Sequence, residues 1–171
     1  MNNLTDNIDT YDRDRNFYYK SISDKIREDK EKKSIFSKKR PSSITITNLA
    51  IINTEESSHK LLFEEGSDVD IRFIQFELAH NGEKKKIEFE DEHLYVRNNV
   101  NIEKRAIKDR LLIGVNVQGA IELWIAKKDG SSLERLVTVD KEEVWHLDVK
   151  NSKIRVISSI ENSFSMQSFE W

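Results

Sequence analysis

The sequence predicts a mainly β protein, with an antiparallel β-sandwich or jelly-roll-like domain over residues 43–171 and a charged, partly helical N-terminal arm over residues 1–42. Three observations predict it. After Pro41 the apolar residues fall into short runs with a two-residue period, rich in Ile, Val and Phe. The connections in the last third are short and turn-like, so they cannot host a crossover helix and neighbouring strands must run antiparallel. The charge also changes sign at Pro41: residues 1–41 hold 11 Lys and Arg against 8 Asp and Glu, while the whole chain carries 28 against 31.

In the arm, Tyr18, Ile22 and Ile26 lie four apart and align on one helical face, with Tyr19 three before Ile22. Asp12 and Asp14 in front, with Lys and Arg behind, suit a helix macrodipole, so the spacing predicts a helix across 12–34. Residues 27–34 give that stripe little apolar support, and such a helix needs a partner to order it. The expected docking residues are Phe17, Tyr18, Tyr19, Ile22 and Ile26. Lys38-Lys39-Arg40-Pro41-Ser42-Ser43 reads as a linker, because proline disfavours helix at the residue before it.

The body follows in order. Residues 43–52 are rich in β-branched residues and mostly alternate, which predicts a strand. Val69, Ile71 and Phe73 share one parity and Ile74, Phe76 and Leu78 the other, which predicts a bulge or burial on both faces. His80-Asn81-Gly82 marks a hairpin, with a return strand over 86–90. Residues 101–110 are the one helical candidate of the body. Further strands are expected at 111–117, 120–127, 133–139, 143–149, 153–160 and 163–170, with Gln118-Gly119 read as either a turn or a bulge in one long strand.

Several function classes drop out. The chain has no Cys, which excludes disulfides, thiolate metal sites and a thiol nucleophile. Its longest apolar run, 111–115, is far short of the ~20 residues a helical membrane span needs. No secretory signal is visible at the N-terminus, so a cytoplasmic or virion location is expected. No elbow motif, phosphate loop or dinucleotide fingerprint occurs. Asp91-Glu92-His93 clusters three ligand types, but adjacent strand residues point to opposite faces, so no metal is expected. Asp70 with Glu83 and Lys85 matches the Asp…Glu-x-Lys spacing of metal-dependent nucleases only formally, because Glu83 and Lys85 flank a turn. No catalytic residue and no cofactor is nominated.

What remains is binding. With Ile121, Leu123 and Ile125 facing a core, Trp124 is expected to face out, and Phe169 and Trp171 end the chain on aromatics. Trp124, Phe169 and Trp171 therefore form a candidate surface platform for a partner or a sugar ring. Trp145 is expected in the core. Lys32, Lys33, Lys38, Lys39 and Arg40 could contact phosphate, although interleaved acids dilute them. The first expectation is a non-enzymatic structural or assembly protein, a homo-oligomer or part of a larger particle such as a capsid or tail. Carbohydrate binding is the alternative, and nucleic-acid contact through the basic part of the arm is the third.

Overall fold

The computed structural model describes residues 8–25, 44–79, 87–89 and 106–171. Their regular structure is all β. In chain order the strands are β1 (Asp9–Asp12), β2 (Phe17–Lys25), β3 (Ile44–Asn53), β4 (Ser58–Leu61), β5 (Ile71–Gln75), β6 (Glu77–Ala79), β7 (Ile87–Phe89), β8 (Leu111–Val117), β9 (Ala120–Ala126), β10 (Glu134–Val139), β11 (Val144–Asp148), β12 (Lys153–Ile160) and β13 (Ser163–Glu170). Every pairing is antiparallel.

The strands form a first sheet ordered β1-β2-β3-β4, a middle sheet β10-β9-β8-β5, a third sheet β11-β12-β13 and a small ribbon β6-β7. Two cores lie on opposite faces of the middle sheet. Because strand side chains alternate, Leu111, Ile113 and Val115 of β8 enter the first core with Tyr19, Leu49 and Ile51 of the first sheet. Leu112 enters the second core with Trp145, Leu147, Ile154 and Val156 of the third sheet. That is why Leu111 through Val115 are all buried, as runs in doubly covered strands are. A β-sandwich or jelly roll has two sheets around one core; here three sheets surround two.

The parity switch in β5 resolves as both expected devices together. The register shifts between Ile71 and Phe73, so Ile71 and Ile74 reach the first core while Phe73 reaches the second. Phe73 then lies over Gly114, where an added Cβ would meet its ring at 2.1 Å. The ring stacks on Trp145 at 5.6 Å and 12°, so Gly114 is the space in which that stack sits.

The N-terminal segment differs from the expected helix. Residues 9–25 form β1 and β2, and β2 pairs with β3 along its length, so the strand pairing crosses the boundary expected at residue 42. Positions four apart share a face in a strand as well as in a helix, so Tyr18 and Ile22 fit both. Tyr19 separates the two readings. In a strand it points opposite Ile22, and it is fully buried while Ile22 is 41% exposed. Long-range pairing and burial of Tyr19 override the weak local helical preference. Ile26 and the remainder of the expected helix lie outside the described residues, as do Lys32, Lys33, Lys38, Lys39 and Arg40.

The last third matches the expected strands to within a residue at each end. Gln118 (φ 51°) and Gly119 (φ 88°) close a two-residue hairpin rather than a bulge; positive φ at both central residues matches the twist of the flanking strands. The Asn-Gly turn lies outside the described residues, but β6 and β7 pair on either side of it. Residues 106–110 carry no helix.

Candidate functional site

Two features stand out: a buried charge cluster and an uncovered sheet face. The cluster joins the chain's two ends. Asp12 and Lys128 are fully buried, and their side chains meet at 2.8 Å. Lys128 Nζ also donates to the Glu77 carbonyl at 2.7 Å and lies 5.3 Å from the Phe76 ring centre. Tyr19 Oη donates to the Lys128 carbonyl at 3.0 Å, and burial together with nearby Asp12 raises its pKa well above the usual tyrosine range. The buried Glu77 carboxylate accepts from Trp171 Nε1 and from the Lys108 backbone N–H, both at 2.8 Å. This geometry ties β1, the start of β6, the turn after β9 and residue 171 together. With Asp12, Lys128, Glu77 and Tyr19 all at 0% exposure, the cluster is a structural staple closed to solvent. Nothing in the spacing of Asp12, Glu77 and Lys128 could have revealed it.

The expected aromatic platform is not assembled. Trp171 is 1% exposed and Phe169 packs on the second core. Trp124 packs on the first core, edge-on to Phe63 at 5.5 Å, while its Nε1 donates to Glu122 at 3.1 Å. The reason is the doubly covered middle sheet: the face that Trp124 occupies is roofed by the first sheet. The expected docking stripe is likewise dispersed. Tyr19 is core and Phe17 packs against it, and Tyr18 is half-buried.

Asp70 accepts from Arg72 at 2.6 Å and Asn116 at 2.8 Å, while Glu83 and Lys85 lie outside the described residues, as does Asp91-Glu92-His93. Among the described residues no group of His, Asp and Glu could hold a metal ion. No helix there is long and apolar enough to cross a membrane.

Among the described residues, the uncovered face belongs to the third sheet. Trp145 and Leu147 of β11 and Ile154 and Val156 of β12 point into the second core, so alternation turns their neighbours outward. Register then sets Val144, Ile157 and Met166 side by side, with Ser159 and Phe164 as the next row. Phe164 is 77% exposed, and Val144 and Met166 are each 57% exposed. The other end of the same face is polar. Arg155 bonds Asp148 at 3.1 Å and Ser168 Oγ at 3.2 Å, and Lys153 pairs with Glu170. Asn151 donating to Asp148, backed by Arg155, holds that carboxyl below its ordinary pKa. Sequence reasoning missed Val144, Phe164 and Met166. Phe164 and Met166 share one parity in the sequence, but only the position of the third sheet says which face is left open.

Comparisons with protein-family models, curated proteins and solved structures find no match to this chain.

Proposed function

We propose that this chain is a non-enzymatic structural or assembly protein that self-associates through the outer face of its third sheet. The observation that carries this reading is the adjacency of Val144, Ile157, Met166 and Phe164, with Phe164 at 77% exposure. Scattered apolar side chains are ordinary on a protein surface, but a contiguous cluster beside a polar rim is what a protein interface requires. Here Asp148, Lys153, Arg155 and Glu170 supply the rim. The docking surface thus lies at the C-terminal end of the chain, not on the residues first expected to form an N-terminal arm.

Light scattering coupled to size-exclusion chromatography over a concentration series tests it. The full chain is expected as an oligomer, and Phe164→Ser/Met166→Ser as a monomer with an unchanged circular dichroism spectrum. A wild-type monomer at every concentration overturns the proposal, as does a double variant that keeps the wild-type mass.

A further inference from the structure

The proposed docking face continues into a strand edge whose chemistry names the partner more narrowly. Edge strands invite pairing and are normally blunted by shortness, charge or bulges. The other sheet edges among the described residues follow that rule. β1 has four residues, two of them Asp, and β4 has four including Lys60. β10 is broken by a register shift beside Glu134 and Arg135, and β5 has a shift and Arg72. β11 has five residues and ends on Asp148. β13 has none of these devices. It runs eight residues without a bulge, carries no charge before Glu170 and is half-buried at only two positions.

Its geometry defines what can add to it. The Trp171 N–H donates to the Ser152 carbonyl on the β12 side, so by alternation residues 163, 165, 167 and 169 bond β12. Phe164, Met166, Ser168 and Glu170 then aim their N–H and C=O groups outward. Arg110 Nη1 confirms the direction, donating to the Glu170 carbonyl at 3.1 Å. That guanidinium also closes the Glu170 end of the edge.

Resting on the assembly reading above, we infer that the partner is a second copy of this chain, added antiparallel β13 to β13 about a two-fold axis at Met166. Three observations select this pairing. The outward groups of Phe164, Met166 and Ser168 are symmetric about Met166, so Phe164 meets Ser168 of the second copy and Met166 meets its own counterpart, each pair exchanging both backbone bonds. Of the two neighbouring registers, the one centred on Gln167 would set Phe164 opposite Glu170, whose carbonyl Arg110 already occupies, and the one centred on Ser165 would set Ser168 opposite Asn162, in the turn before β13. Finally, Arg155 leans across β13, with Nη1 at 3.2 Å from Ser168 Oγ and 3.9 Å from Met166 Sδ. Across the new edge, small Ser168 faces the exposed Phe164 ring of the second copy, which gives the guanidinium a ring to cover. The rotation keeps both apolar clusters on one side of a continuous six-strand sheet.

The absence of Cys makes the register directly testable. Met166→Cys is expected to cross-link to itself under mild oxidation or with a short bis-maleimide. Phe164→Cys and Ser168→Cys should cross-link to each other when mixed, and far less to themselves. Ser168→Pro removes an edge-facing N–H while sparing the bonds to β12, and should weaken dimerisation at least ~10-fold. Should that variant fail to fold, the cross-linking pattern still decides. A dimer that survives Ser168→Pro and cross-links at none of these positions, yet is lost in Phe164→Ser/Met166→Ser, overturns the edge pairing and leaves face docking standing. Dimers insensitive to all variants, or a wild-type monomer, overturn both.

Discussion

The two cores of this protein solve the same problem with different materials. The second core is built from large apolar side chains: Phe73, Leu112, Leu123 and Ile125 of the middle sheet meet Trp145, Leu147, Ile154, Val156 and Trp171, with the buried Glu77 carboxylate at its margin on Trp171. Beside the first core sits a fully buried Lys128 with its Asp12 partner. The strands supplying each side explain the contrast. In the third sheet β11 and β12 present Trp145, Leu147, Ile154 and Val156 inward, whereas β1 is short and polar, with only its last residue, Asp12, buried. A strand so poor in apolar surface is anchored by charge. Glu77 joins the halves, holding Trp171 with its carboxylate and Lys128 with its carbonyl.

The largest expected effect breaks the polar side of this comparison. Lys128→Met leaves the Asp12 carboxylate buried beside an apolar group and should destabilise by about 3–5 kcal/mol in chemical denaturation. The double variant Lys128→Met/Asp12→Leu should recover most of that loss, because desolvation offsets much of the pair's attraction. No recovery would mean that the pair itself, not its separation, stabilises the fold. Breaking the apolar side, Trp145→Ala removes the partner stacked on Phe73 and opens a cavity, with about 3–5 kcal/mol expected and no rescue by any charge change.

A smaller effect sharpens the packing argument. Gly114→Ala forces the Phe73 ring off its stack and should lose about 1–3 kcal/mol, with a changed near-ultraviolet circular dichroism signal from Trp145. Gly66, with nothing within 4 Å of an added Cβ, is a spatial control only, because its φ of 82° strains any side chain.

The smallest effect concerns the polar rim. The carboxyl of Asp148, bonded first by Asn151, and that of Glu143, bonded by Ser158, both have lowered pKa values. A depressed folded pKa means stability that is present above the ordinary carboxylate range near ~4 and is lost as pH falls through the lowered folded values. Thermal midpoints should therefore fall from pH 5 towards pH 3, and Asp148→Asn should flatten part of that slope. An unchanged slope would show that the rim adds nothing to folding.

Much of the strand layout was legible because it rests on local chemistry. Gln118-Gly119 and Glu161-Asn162 turn the chain, and alternation over 144–148 and 153–160 separates an inner from an outer face. The parity switch across 69–78 already required either a bulge or burial on both faces, and the structure has both. The N-terminal strands were not legible, since the four-residue spacing of Tyr18 and Ile22 suits a strand as well as a helix. Trp124 was misplaced because alternation separates two faces without saying how many sheets cover them.

By itself, then, the sequence determined an antiparallel β body without cysteine chemistry and, in the last third, which residues of a strand share a face, because alternation and turn chemistry act over a few residues. Only the tertiary structure decided that the middle sheet is roofed on both sides, that Asp12 meets Lys128 and that Trp171 meets Glu77. It also decided that β13 is left as a sheet edge with no charge before Glu170. Each of these depends on contacts between residues distant in the chain, where burial and long-range hydrogen bonding outweigh any local preference.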